Sequence, residues 1–146
     1  VEWMPSDVRN NLWMVRERLG IEPLRIQIDP ELPLKNQCPQ IYDHVFTANT
    51  LHIMANDLAT LFCREIGDVM NSEGLLFLYG PFKWDGKYTS ESNQKFDESL
   101  KERDERMGIR NFEDIKSNLE NHSLVFIDSH DLPANNHILV FQKQPT

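Results

Sequence analysis

Basic residues are the scarce charge in this chain. There are 15 Lys and Arg against 23 Asp and Glu in 146 residues, and the formal net charge is −8. That balance disfavours non-specific grip on nucleic acid or on an anionic membrane surface, since both need basic area. Long apolar runs are also missing: none approaches the ~20 residues of a membrane-spanning helix, and no segment has the pattern of a signal peptide. Cysteine is sparse. Cys38 and Cys63 are the only two, far apart and without His or Cys at metal-ligand spacing. They read as reduced thiols in a cytosol-like compartment rather than as a disulfide framework or a metal site. Glycine is scarce too. The six glycines, at 20, 67, 74, 80, 86 and 108, form no cluster of the dinucleotide-binding type, which needs three around a strand-to-helix turn. The stretch "GPFKWDGKYT" approaches a phosphate-binding loop, but five residues separate Gly80 from Gly86, and Tyr88 follows Lys87 where Ser or Thr is required.

What remains is a chain that is 40% hydrophobic and 26% charged, suited to one globular domain with a real core. Ser6 or Asp7 can cap a helix over "VRNNLWMVRERLG", with Val8, Leu12, Val15 and Leu19 at helical spacing and Gly20 as its stop. "LRIQID", between Pro23 and Pro30, alternates as a strand does. "ELPLKNQCPQ" is expected as a loop, and "YDHVFTAN" as the second clear strand. "NDLATLFCREIGDVM" is expected as a helix presenting Leu58, Leu61, Phe62, Ile66 and Val69. "GLLFLYG" has the near-continuous apolar pattern of a strand buried on both faces. A loop, "PFKWDGKYTSES", leads to a charged helix, "NQKFDESLKERDERM", anchored by Phe96 and Leu100. A short helix follows, "NFEDIKSNLENH", with Asn111 as a plausible cap. Two strands, "SLVFIDSHDL" and "HILVFQK", finish the chain around "PANN". Strands alternating with helices predict an α/β layered domain with parallel pairing, and the last two strands, with no helix between them, predict an antiparallel pair.

Ligands in open α/β sheets bind outside the carboxyl ends of the strands, so polar residues there are the candidate site. Asn49 ends an apolar strand on an amide that both donates and accepts, and the small Ala48 before it allows close approach. His52 lies one turn on, where an imidazole can orient a substrate or take a proton near neutral pH. The alternatives are a turn-capping amide and a hydrogen-bonded structural histidine. Tyr79, Pro81, Phe82, Trp84 and Tyr88, with Lys83 and Lys87, supply an aromatic and cationic rim, or a long loop packed down on the domain. Asn135 and Asn136 face the same cleft, or simply serve a tight hairpin turn. Asp7 doubles as a helix cap, and Asp29 as the turn residue before Pro30.

The element order resembles the second part of a class I S-adenosylmethionine-dependent methyltransferase. The segments "WMPSD", "FTANTLHIM", "GLLFLYGPFKWDG" and "LPANNHILVF" resemble the subfamily that includes methyltransferase-like protein 26, over residues 1 to about 143. The resemblance implies a Rossmann-like, mostly parallel sheet closed by a C-terminal antiparallel pair, in one domain spanning residues 1–146, and S-adenosylmethionine as cofactor. It implies that Asp7 accepts hydrogen bonds from the cofactor ribose, that Ile28 and Asp29 hold the adenine, that Ala48 and Asn49 border the cofactor, and that Tyr79, Pro81, Lys83, Trp84, Asn135 and Asn136 lie on the substrate side. By their position and chemistry His52 and Asn49 are the candidate catalytic residues. Such proteins begin with a strand and a glycine-rich turn, and the chain opens at what looks like the second strand. A unit of ~30 or more residues is therefore expected upstream, or another chain that fills its place. The acceptor, a small molecule or a protein group, stays open. Two further alternatives are a methyltransferase fold retained as a non-catalytic binding or assembly module, and a homodimer that completes its sheet in trans.

Overall fold

The computed structural model describes residues 31–38 and 40–145. By its internal contacts the chain divides into two units, Val1–Pro39 and Gln40–Thr146. The helix over residues 8–20, its cap and the "LRIQID" strand lie outside the described residues. In the first unit the expected loop contains a single helical turn, α1 (Leu34–Gln37), entered from Pro33 and closed by the Cys38 amide donating to the Leu34 carbonyl at 3.2 Å. Proline is tolerated at the mouth of a helix because its missing N–H is not needed there.

The second unit runs β1 (Tyr42–Ala48), α2 (Asn56–Glu65), a 3₁₀ turn (Ile66–Val69), β2 (Met70–Gly80), α3 (Glu91–Arg103), α4 (Phe112–Glu120), β3 (Leu124–Leu132), a 3₁₀ turn (Pro133–Asn135) and β4 (Asn136–Lys143). The four described strands form one open sheet in the order β1-β2-β4-β3. β1 and β2 are parallel, joined by α2 as crossover, while β4 runs antiparallel to both β2 and β3. The expected α/β sheet with its antiparallel C-terminal pair is therefore present.

The strand read as buried on both faces is buried on one. Along β2, Leu76, Leu78 and Gly80 are buried, whereas Leu75, Phe77 and Tyr79 are half-exposed. The buried row continues on β4 through His137, Leu139 and Phe141. The start of β2 is held tightly against β1. A Cβ on Gly74 would meet the Asp43 carbonyl oxygen at 2.2 Å, so only glycine fits where the pairing register shifts between Tyr42 and His44.

Two helices present different faces from those the sequence suggested. α2 buries the small Ala59 and Cys63, followed by Ile66 one turn on, while Leu58, Leu61 and Phe62 flank this line half-buried. Ala59 and Cys63 are small enough to let the helix lie close to α4. The helix also stops at Glu65 and tightens into the 3₁₀ turn, so Met70 begins the strand. On α3, Leu100 is buried as expected, but Phe96 is 41% exposed and the inward positions belong to Asn93 and Asp97. Polar groups can face a core when they are hydrogen-bonded, and both are. Asp97 accepts from the Tyr88 hydroxyl and from the Ile109 amide at 2.8 Å, and pairs with Lys101 at 3.0 Å. The Asn93 amide nitrogen donates to Thr89 Oγ1 and to the Asn135 carbonyl. Ser90 caps the helix by accepting from the Asn93 backbone N–H. Asn111 precedes α4 without capping it: its amide nitrogen donates to Asp114 and its oxygen is buried without a partner.

Candidate functional site

The carboxyl ends of β1 and β2 lie side by side, and the chain turns sharply after each. Asn49 takes a left-handed conformation (φ 55°) immediately after β1, which an Asn tolerates well. Its backbone N–H donates to the Tyr79 carbonyl at 2.8 Å and so ties the turn to β2. Thr50 continues the turn, with its hydroxyl on the Ala48 carbonyl at 3.1 Å and against the Thr47 hydroxyl. The turn thus brings Asn49 and His52 over Gly80: a Cβ built there would lie 3.7 Å from both Asn49 Oδ1 and His52 Nδ1.

His52 is only 5% exposed. Its carbonyl accepts from the Gly108 N–H at 3.0 Å, and its ring meets Phe96 edge-on with centroids 5.4 Å apart. Burial, assisted by the nearby Arg110 cation, lowers its pKa to about 4. The ring is therefore neutral near pH 7 and a weak base. Orientation through a neutral ring nitrogen suits this environment better than storing a proton.

Arg110 is the residue that sequence reading missed here. Its guanidinium donates to the Leu51 carbonyl at 3.1 Å, to the Met54 carbonyl, to Asn56 Oδ1 at 3.2 Å and to the Arg106 carbonyl at 3.0 Å. One side chain from beyond α3 thus holds the whole turn that carries His52. No local motif surrounds Arg110, so nothing in the text announces it.

The rim residues separate into two groups. Phe82 is buried and Trp84 is packed, stacked on Phe112 at 5.5 Å and edge-on to His137 at 4.5 Å. Lys83 pairs its backbone with the segment before α4 and places its ammonium 5.3 Å from the Tyr88 ring centre. This part of the loop is packed onto the domain. Pro81 is buried beside Gly80, and Tyr79 contributes its carbonyl to Asn49. In the "PANN" connection Ala134 and Asn135 both have positive φ, the hairpin-turn alternative. Asn135 also reaches α3 through Asn93 and Ser92, while Asn136 bonds locally to the Pro133 carbonyl. Asp7, Ile28 and Asp29 lie outside the described residues. Among the described residues no helix is long and apolar enough to cross a membrane.

A family model matches residues 1–143. The chain belongs to the family described as protein of unknown function, DUF938. Solved structures resemble this DUF938 chain in fold. An O-methyltransferase family protein from Burkholderia thailandensis superposes with a TM-score of 0.72 at 12% identity, over 94% of this chain and 40% of that one. Mitomycin 7-O-methyltransferase MmcR gives 0.69 at 16% identity, over 94% and 40%. LepI, solved in complex with SAM, gives 0.69 at 16%, over 93% and 40%. At such identity the likeness establishes a methyltransferase-like, Rossmann-type fold. The DUF938 chain spans about two fifths of the length of these proteins.

Proposed function

We propose that the DUF938 chain belongs to an S-adenosylmethionine-dependent methyltransferase of the subfamily that includes methyltransferase-like protein 26. The observation that carries this reading is the polar end of β1. In an open α/β sheet of methyltransferase type, Asn49 and His52 follow Ala48 at the carboxyl end of β1 and stand close to the side-chain-less Gly80 at the end of β2, the end of the sheet where ligands bind. Small and neutral groups at that place fit a bulky, positively charged cofactor better than a cationic site would. When bound, S-adenosylmethionine supplies a methyl group already activated by its sulfonium. The chain then has to align a nucleophile rather than generate one, a task suited to the neutral His52 ring and the Asn49 amide. On this reading Asp7 accepts from the ribose hydroxyls, Asp29 and Ile28 hold the adenine, and Ala48 and Asn49 border the cofactor. Tyr79, Pro81, Lys83, Trp84, Asn135 and Asn136 lie toward the acceptor.

The test is calorimetric titration of S-adenosylhomocysteine into the chain and into its Asp7→Ala and Asp29→Ala variants. Micromolar one-to-one binding that both variants weaken at least tenfold supports the reading. Absence of heat with the folded chain, or binding that both variants leave unchanged, defeats the assignment for this chain.

A further inference from the structure

Between α2, α4 and the segment that joins α3 to α4 lies a cleft of about 550 Å³, a size that suits a small ligand. Ala59, Met107, Ile109 and Ile115 give it an apolar lining. Ala48, Asn49, His52 and Gly80 do not line it, so it is separate from the candidate site at the end of β1.

Four of the 15 Lys and Arg of this acidic chain line the cleft: Lys83, Lys101, Arg106 and Arg110. Two of them are already paired. Lys101 meets the buried Asp97 at 3.0 Å, and Arg106 meets Asp104 at 2.9 Å. The other two are neighbours, since the Lys83 N–H donates to the Arg110 carbonyl at 2.9 Å. Neither has a carboxylate partner among the described residues. The Lys83 ammonium meets the Tyr88 ring. Arg110 donates to four neutral oxygens. A guanidinium carries five N–H groups, so one remains, on the Nη1 that lies 3.2 Å from Asn56 Oδ1. The Asn56 amide nitrogen and the Asn118 side-chain amide also line the cleft without hydrogen-bond partners among the described residues.

Burial works against the Arg110 charge and lowers its pKa, and Asp97 favours that charge without touching it. A partly desolvated cation is unfavourable until an anion meets it. Two acids line the cleft as well. Asp114 already accepts from the Asn111 amide, and Glu105 is exposed, where water screens it.

We propose that this cleft binds a small organic anion. Its carboxylate or phosphate group meets Arg110 Nη1, the Asn56 amide and the Lys83 ammonium, and its body lies along Ala59, Met107 and Asn118. The oxyanion follows from unused donors beside two cations that lack a carboxylate. The organic body follows from a volume far larger than an oxyanion needs and from the apolar lining. The inference is independent of the function proposed above. Of the residues placed there toward the acceptor, Lys83 alone lines the cleft.

Benzoate, phenyl phosphate and the neutral benzamide share a ring and differ in charge. Each is titrated into the full chain in low-salt buffer free of inorganic phosphate. Proton–nitrogen correlation spectra follow the side-chain amides of Asn56 and Asn118 and the Arg110 Nε–H. At least one of the two anions is expected to move these signals, with a dissociation constant of about 1 mM or tighter and about tenfold or more below that of benzamide. The tighter of the two distinguishes a carboxylate ligand from a phosphate one. Lys83→Gln is expected to weaken that anion about threefold. Asn118→Asp sets a like charge in the cleft without a change of shape, and is expected to weaken it about tenfold or more. Both side chains are half-exposed and free of hydrogen bonds, so both variants keep the fold. Absence of binding by both anions, equal affinity for benzamide, shifts confined to residues outside the cleft, or unchanged binding in both variants overturns the proposal.

Discussion

Arg110 Nε donates to the Leu51 carbonyl at 3.1 Å across 59 positions of sequence. The same guanidinium reaches the Met54 carbonyl and Asn56 Oδ1, so a single side chain closes the β1–α2 turn. Hydrogen bonds from a charged donor contribute more than neutral ones, and their buried acceptors are unfavourable when orphaned. Arg110→Ala is expected to lower stability by roughly 2–4 kcal/mol. Arg110→Lys keeps the charge but not the planar fork, and is expected to recover less than half of that. Urea unfolding midpoints read both. A loss under about 0.5 kcal/mol for Arg110→Ala, the range of ordinary surface changes, would show that the turn holds itself.

Asp97 is fully buried, yet its carboxyl is held below the usual carboxylate range. Burial works against its charge, and the Tyr88 hydroxyl, the Ile109 N–H and Lys101 together outweigh it. The partner shows the reciprocal effect. Donation to Asp97, with some burial, raises the Tyr88 phenol to about 12. Asp97→Asn keeps the shape and removes the charge. Ultraviolet difference titration should then show Tyr88 ionising nearer its ordinary value of 10.0. A Tyr88→Phe background identifies which tyrosine moved. An unchanged alkaline titration in Asp97→Asn would remove Asp97 as the cause.

The strands were legible because short apolar runs between turn residues survive in the text. "YDHVFTAN" and "HILVFQK" lie where β1 and β4 lie, and the missing helix between the last two segments correctly implied their antiparallel pairing. The helix faces were less legible. Hydrophobicity assigned α2's inward face to Leu58 and Phe62, whereas Ala59 and Cys63 take it, because how closely the helix can lie against α4 is decided by size as well as polarity. On α3 the pattern offered Phe96 as an anchor, and Asp97 is the residue inside. Its three partners come from Tyr88, Lys101 and Ile109, of which the i, i+4 Lys101 alone is visible by spacing. The same limit applies at the site. Asn49 and His52 stood out as polar residues at a strand end. Arg110 depends on contacts with a segment more than fifty positions away, and the Asp131–His137 pair on the register of the last hairpin, neither of which a local pattern encodes.

The two cysteines should react differently. Cys63 is 0% exposed, and burial raises its thiol to about 12. Cys38 is half-exposed and its thiol is raised by burial as well. Thiolate, not thiol, is the nucleophile. Iodoacetamide at pH 8 should therefore label Cys38 slowly in the native protein and leave Cys63 untouched until urea is added. Mass spectrometry of labelled peptides reads the difference, and rapid native labelling of Cys63 would mean that α2 opens locally without global unfolding.

The pH dependence of stability isolates His52. Its folded pKa of about 4 lies below the ordinary histidine value of 6.5, so on acidification the unfolded chain binds a proton that the folded chain refuses. By linkage the stabilisation is complete above about pH 6.5 and falls as pH drops toward 4. The full difference is about 3 kcal/mol, from 1.36 kcal/mol for each pH unit. Asp97 acts in a separate window: its carboxyl is already held below 3.8, so its stabilisation is lost only on further acidification. Urea unfolding at pH 7, 5.5 and 4.5 should thus show a decline that is shallower in His52→Gln, since glutamine takes up no proton over this range. Parallel curves for the two proteins would mean that His52 protonates freely in the folded state. The neutral, orienting ring over Gly80 would then be excluded, and with it the role proposed for His52 in aligning the acceptor.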